Sequence, residues 1–124
     1  MNASSKLKNV LGGSLVLCGG LNKTTGFYRN NYCITGNNDI GVHVICAIVT
    51  EKFLQFSKKK NNDLITPRNG FPGLVDGDTW CLCAYRWLEA YQAGCAPPVL
   101  LESTSISSLK IVPLVILKQF AVRR

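Results

Sequence analysis

The sequence predicts a single α+β domain: a two-layer sandwich of a mixed or antiparallel sheet with about three helices. Three observations carry that expectation. The chain has 124 residues, a length that suits one domain and is enough to enclose a core. The stretch "VHVICAIV", residues 42–49, is apolar on both faces and rich in β-branched residues, as a strand covered on both sides must be. Two further stretches, one opening at Thr50 and one at Asp78, repeat their apolar residues at helical spacing.

Taken in order, residues 1–8 are polar and basic and are expected to be flexible, with the folded domain running from 9 to 124. "SLVLC" predicts a short first strand. "FYRNNYCI" predicts a hairpin, with Asn30 and Asn31 able to take the positive φ of a tight turn. The segment 42–49 predicts a central strand. Thr50 then caps a helix to about Asn61, with Glu51 in its first turn and Phe53, Leu54 and Phe56 facing inward. The residues "NNDLITPRNGFPGLVDGD" form a long irregular connection punctuated by Pro and Gly. "APPVLLES" and "LKIV" predict two more strands, and Pro113 opens a last helix.

"DTWCLCAYRWLEAYQAG", residues 78–94, poses the sharpest question, because two cysteines stand one residue apart between two tryptophans. With Asp78 as N-cap and Gly94 as stop, Trp80, Cys83, Ala84, Trp87, Leu88 and Tyr91 form one helical stripe over 79–93. Residues two apart on a helix are turned about 200° from each other. The reading therefore buries Cys83 beneath the tryptophans and places Cys81 on a flank. A strand here would instead put both thiols on one face and revive a metal clamp. The same parity places His43 with Ile45 and Ala47, and Cys46 with Val44 and Ile48, which disfavours a His43–Cys46 pair.

The net charge is +7, with nine basic residues against three acidic ones up to Val75. A basic half suits an acidic partner, but Lys58, Lys59 and Lys60 fall where a helix ends and complement its dipole. No docking motif or aromatic-basic interleaving points to nucleic acid. No apolar run reaches the ~18 residues of a membrane span. Gly12 and Gly13 interrupt the first apolar stretch, and Leu17 stands where a lipid-attachment site needs a small residue, so the start is read as cytoplasmic. In that setting the six cysteines are expected to be free thiols, and reducing agent to leave stability unchanged. No zinc spacing, phosphate loop, nucleophile elbow or dinucleotide fingerprint occurs, and no cofactor is implied.

The strings "NVLGG", "TGFYRNNYC", "DIGVHVICAIVTEKFLQFS", "NDLITPR", "FPGL", "GDTWCLCAYRW" and "EAYQAGCAPPVLLES" together resemble the bacterial domain-of-unknown-function family 2237, over about residues 9–121. The resemblance implies a small two-layer α+β domain with no assigned activity. This chain departs from the family pattern at Arg29-Asn30-Asn31, where an Arg-Asp-Gly turn is usual, and at Thr104-Ser105, where Thr-His is usual. The segment between "TP" and "FPGL" is shortened to Arg68-Asn69-Gly70. Cys95 stands at a position that is usually aliphatic.

Two functional readings follow. The first is a ligand-binding or interaction module with a polar cleft formed by Arg29, Asp39, His43, Asn62, Asp63 and Arg86, with Thr66 and Asp78 nearby. Its partner would be a small molecule or a protein, with neither nucleic acid nor a membrane involved. The second is a thiol-based enzyme or metal-binding domain that assembles Cys33, Cys46 and Cys81 with His43. Neither reading assigns a reaction or an oligomeric state.

Overall fold

The computed structural model describes residues 7–19 and 23–123. Its centre is strand β1 (His43–Ile48), paired antiparallel with β2 (Thr79–Cys83). The other edge of β1 is covered by residues 98–100, through Ile48 N–H to Pro98 O and Leu100 N–H to Cys46 O. β1 is thus central, as its two-sided apolar pattern requires, and Val44, Ile45, Cys46 and Ala47 are all fully buried.

Helix α1 (Glu51–Lys59) begins where the sequence predicts, with the Thr50 hydroxyl accepting from Phe53 N–H. Phe53 and Leu54 enter the core, and Lys58 and Lys59 lie in the last turn. Helix α2 (Ala84–Gln92) follows β2 directly, and α3 (Leu114–Gln119) follows Pro113. One main core gathers Phe53, Leu54, Trp80, Trp87, Val99 and Leu117 against the sheet. The Trp87 indole N–H donates to Pro97 O, so its polar atom is satisfied within that core. The described residues form an α+β domain with a two-stranded antiparallel sheet and three α-helices.

The helix expected over 79–93 is corrected. Residues 79–83 are strand, and the helix starts only at Ala84. Trp80, Cys81 and Leu82 are buried in succession, which needs cover on both faces and so a strand. The helical stripe is real from Ala84 onward, where Ala84, Trp87 and Ala90 are the buried positions. Asp78 is not a helix cap; its Oδ2 accepts from Lys23 Nζ at 2.6 Å and from Val75 N–H at 2.9 Å. Gly94 does end the helix, with φ +74°.

Other predicted strands are absent among the described residues. "SLVLC" contributes only an isolated bridge between Lys8 and Ser14, and "FYRNNYCI" is a sequence of turns and irregular chain. Within "APPVLLES" and "LKIV", Val99 makes isolated bridges to Ala47 and Ala121, while Leu101–Ser103 and Ile106–Lys110 are 3-10 turns. Of the basic leader, residues 1–6 lie outside the described residues, but Lys8 is tied down, its carbonyl accepting from Ile106 N–H.

The free-thiol expectation is corrected as well. Cys18 is bridged to Cys46 and Cys33 to Cys81; only Cys83 and Cys95 are free. Each bridge joins the irregular chain before β1 to a strand of the β1–β2 pair, and the Cα separations of 5.7 and 5.2 Å suit the bond. Residues 23–42 contain no helix or strand, so these links replace the ladder hydrogen bonds that would otherwise fasten the segment.

Candidate functional site

Where the chain enters β1, a cleft of about 540 Å³ gathers residues from four separate segments. One wall is the turn at 26–31. Gly26 has φ +97°, and a Cβ there would stand 2.5 Å from Tyr32 O, so the turn requires glycine. Arg29 follows in the left-handed region, at φ 55°. Its guanidinium donates to Gly26 O at 2.6 Å and lies 5.3 Å from the centre of the Trp80 ring. Arginine carries five donors, so most of the fork stays available to the cleft.

His43 supplies the second group. The Asp39 carboxylate accepts from His43 N–H at 2.8 Å through Oδ2 and meets ring Nδ1 at 2.6 Å through Oδ1. Burial works to raise the Asp39 pKa. The backbone and ring hydrogen bonds from His43, its charge and the Thr35 hydroxyl outweigh burial and hold the carboxyl below its ordinary value. An ionised carboxylate only accepts, so Nδ1 is the donor in this contact. The ring stacks on Phe27, with centroids 6.4 Å apart. Gly41 also lies against the ring: a Cβ there would come within 2.6 Å of His43 Cε1. Val42, between them, sits at φ 52°, a strained conformation for a β-branched residue.

The third wall is the connection after α1. Asn62, Leu64, Arg68 and Phe71 line it, with Trp80 and Cys81 of β2 completing the floor. Arg68 and Phe71 bridge each other, and the Arg68 guanidinium lies 4.9 Å from the Phe71 ring centre. The cleft therefore carries two guanidinium groups, an imidazole and an amide beside the rings of Phe27, Phe71 and Trp80.

Of the sequence-predicted binding residues, Arg29, His43 and Asn62 come together in this cleft, with Asp39 behind His43. Asp63 does not line it. Its Oδ1 accepts from Ile65 N–H and Thr66 N–H, and hydrogen bonding with Thr66 leads in lowering its pKa to about 2. Thr66 serves the same turn. Arg86 lies elsewhere, donating to Lys60 O and pairing with Glu89 at 3.3 Å. Asp78 is held by Lys23. Sequence reasoning missed Arg68 and the three rings as site residues. Arg68 carried a faint signal, standing in the short "TPRNGF" turn of a long loop.

The thiol set converges only in part. Cys33, Cys46 and Cys81 do cluster, joined by Cys18, and their two bridges lie in a small apolar core with Leu100. His43 is absent from the group of close sulfurs and turns to Asp39 instead. A register shift between His43 and Ile45 interrupts the strand alternation there, so parity is not what separates it from Cys46. A larger cavity of about 640 Å³ lies between Leu11, Leu101, Ala121 and Val122. It is lined by one acidic and one basic residue, Glu102 and Arg123, and gathers no comparable polar set.

No curated protein matches the chain. A family model described as an uncharacterised protein conserved in bacteria (DUF2237) matches residues 8–121. That span is nearly the whole chain, and the chain belongs to this family.

Proposed function

We propose that the protein is a small binding module whose cleft takes a compact anionic ligand with a flat apolar part. The observation that carries this reading is the convergence of Arg29, His43, Asn62 and Arg68 on one concavity floored by Trp80. Guanidinium groups match carboxylate and phosphate oxygens in pairs, and rings beside them accept a planar apolar body. A cleft of ~300–1,000 Å³ with a few convergent polar groups is of small-molecule size. The net charge of +7 favours the approach of an anion. No helix among the described residues is long and apolar enough to cross a membrane.

Calorimetric titration with benzoate and with inorganic phosphate tests the reading. Saturable binding that weakens with added salt and is lost in Arg29→Ala is expected. Equal binding by the Arg29→Ala variant, or none by the folded wild type to any anion offered, would contradict it.

A further inference from the structure

Of the four bridged cysteines only Cys81 borders the anion cleft, and the arrangement of the four is unusual for two purely structural links. Cys46 and Cys81 are register partners across β1 and β2, yet they are not bonded to each other. Their amides point away from one another, Cys46 N–H to Thr104 Oγ1 and Cys81 N–H to Thr25 Oγ1. Facing residues whose amides turn outward bring their side chains closest. As a result the sulfurs of Cys18, Cys33 and Cys46 lie within 4.8 Å of one another, although they belong to two different bridges.

Two chemistries suit such a cluster, namely metal binding by thiolates and exchange between disulfides. Thiolates around a metal leave net negative charge that needs nearby donors. Here the amides of Cys18, Cys46 and Cys81 are already given to Asn31 O and the two threonine hydroxyls. The surroundings are Leu100 and Ile48, a setting that favours neutral disulfides.

We propose that Cys18, Cys33, Cys46 and Cys81 form one thiol–disulfide exchange centre in which Cys33 is the internal nucleophile. A low-molecular-weight thiolate attacks Cys81 Sγ, forms a mixed disulfide with it and expels Cys33 as thiolate. Cys33 then attacks a sulfur of the Cys18–Cys46 bridge. A new bridge forms between Cys33 and Cys18 or Cys46, and the other of those two leaves as thiolate. This internal step moves a bond without net oxidation. A second thiolate resolves the mixed disulfide at Cys81, so the incoming thiol is oxidised to its disulfide and the protein gains two electrons, with protons taken from water. Both residues of the Cys33–Cys81 bridge are buried, but Cys81 lines the cleft and Cys33 lies in a stretch without helix or strand. This bridge is therefore the one a thiolate entering the cleft would meet first, by local opening of that stretch.

The test is stepwise anaerobic reduction of the native protein with 2-mercaptoethanol, after Cys83 and Cys95 are blocked by alkylation. Samples are quenched in acid, alkylated and mapped by mass spectrometry. The species with two thiols should contain Cys18–Cys33 or Cys33–Cys46 in amounts comparable to the starting bridges. In Cys81→Ser the same re-paired bridges should appear without any reductant. Two-thiol species that hold only the original pairs would overturn the proposal. So would stoichiometric zinc on the fully reduced protein with all four thiols protected. Should Cys81→Ser fail to fold, the wild-type titration decides alone.

Discussion

Asp39 fixes both the backbone and the ring of His43, and removing it should be felt in each. Asp39→Ala leaves a backbone donor and a ring donor without their charged acceptor, at a cost of about 1–3 kcal/mol in denaturant unfolding. The sign of its pH dependence follows from the lowered pKa. The stabilisation is fully present above the unfolded value, near pH ~4, and is lost as pH falls through the folded value. Acid unfolding of Asp39→Asn should therefore flatten in that window relative to wild type. His43 itself was legible only as a candidate. Nothing in the spacing reveals the register shift between His43 and Ile45 that interrupts the strand alternation, nor that Asp39, four residues earlier, turns back to meet the ring. The two cysteines that flank Leu82 reverse their expected roles. Cys81 is buried and bonded and Cys83 is the half-exposed free thiol, so native alkylation followed by mass mapping should label Cys83 and spare Cys81.

At the scale of elements, α1 could be read from sequence because its cap, apolar spacing and terminal lysines all agree. Residues 79–83 misled because Trp80 and Cys83 happen to continue the spacing of α2 into a strand. Both tryptophans are nevertheless core residues, and Trp87→Ala and Trp80→Ala should each cost about 3–5 kcal/mol in chemical denaturation. The strands expected near residues 14–18 and 27–34 fail for a different reason. The chain there is secured by bridges to β1 and β2, not by ladder pairing. The bridges span 28 and 48 residues. On the chain-entropy account each closed loop of that size contributes about 4 kcal/mol. Melting with and without reductant should therefore show a large loss of Tm on reduction, opposite to what free thiols would give.

For the molecule as a whole, the family resemblance carried the fold and the extent of the domain but no chemistry. What the structure adds is a place: three segments, at 26–29, 43 and 62–71, meet over Trp80 and bring Arg29, His43, Asn62 and Arg68 to one opening. Their separation along the chain is why the full set escapes a reading of spacing, which sees only neighbours on one element. The most direct test is an amide-resolved NMR titration of the native protein with benzoate and with phosphate. Saturable shifts confined to Gly26, Arg29, His43, Arg68 and Trp80, absent in Arg29→Ala, are the predicted result. Saturable shifts centred instead on Lys58, Lys59 and Lys60, or no saturable shift at all, would contradict the cleft as a binding site.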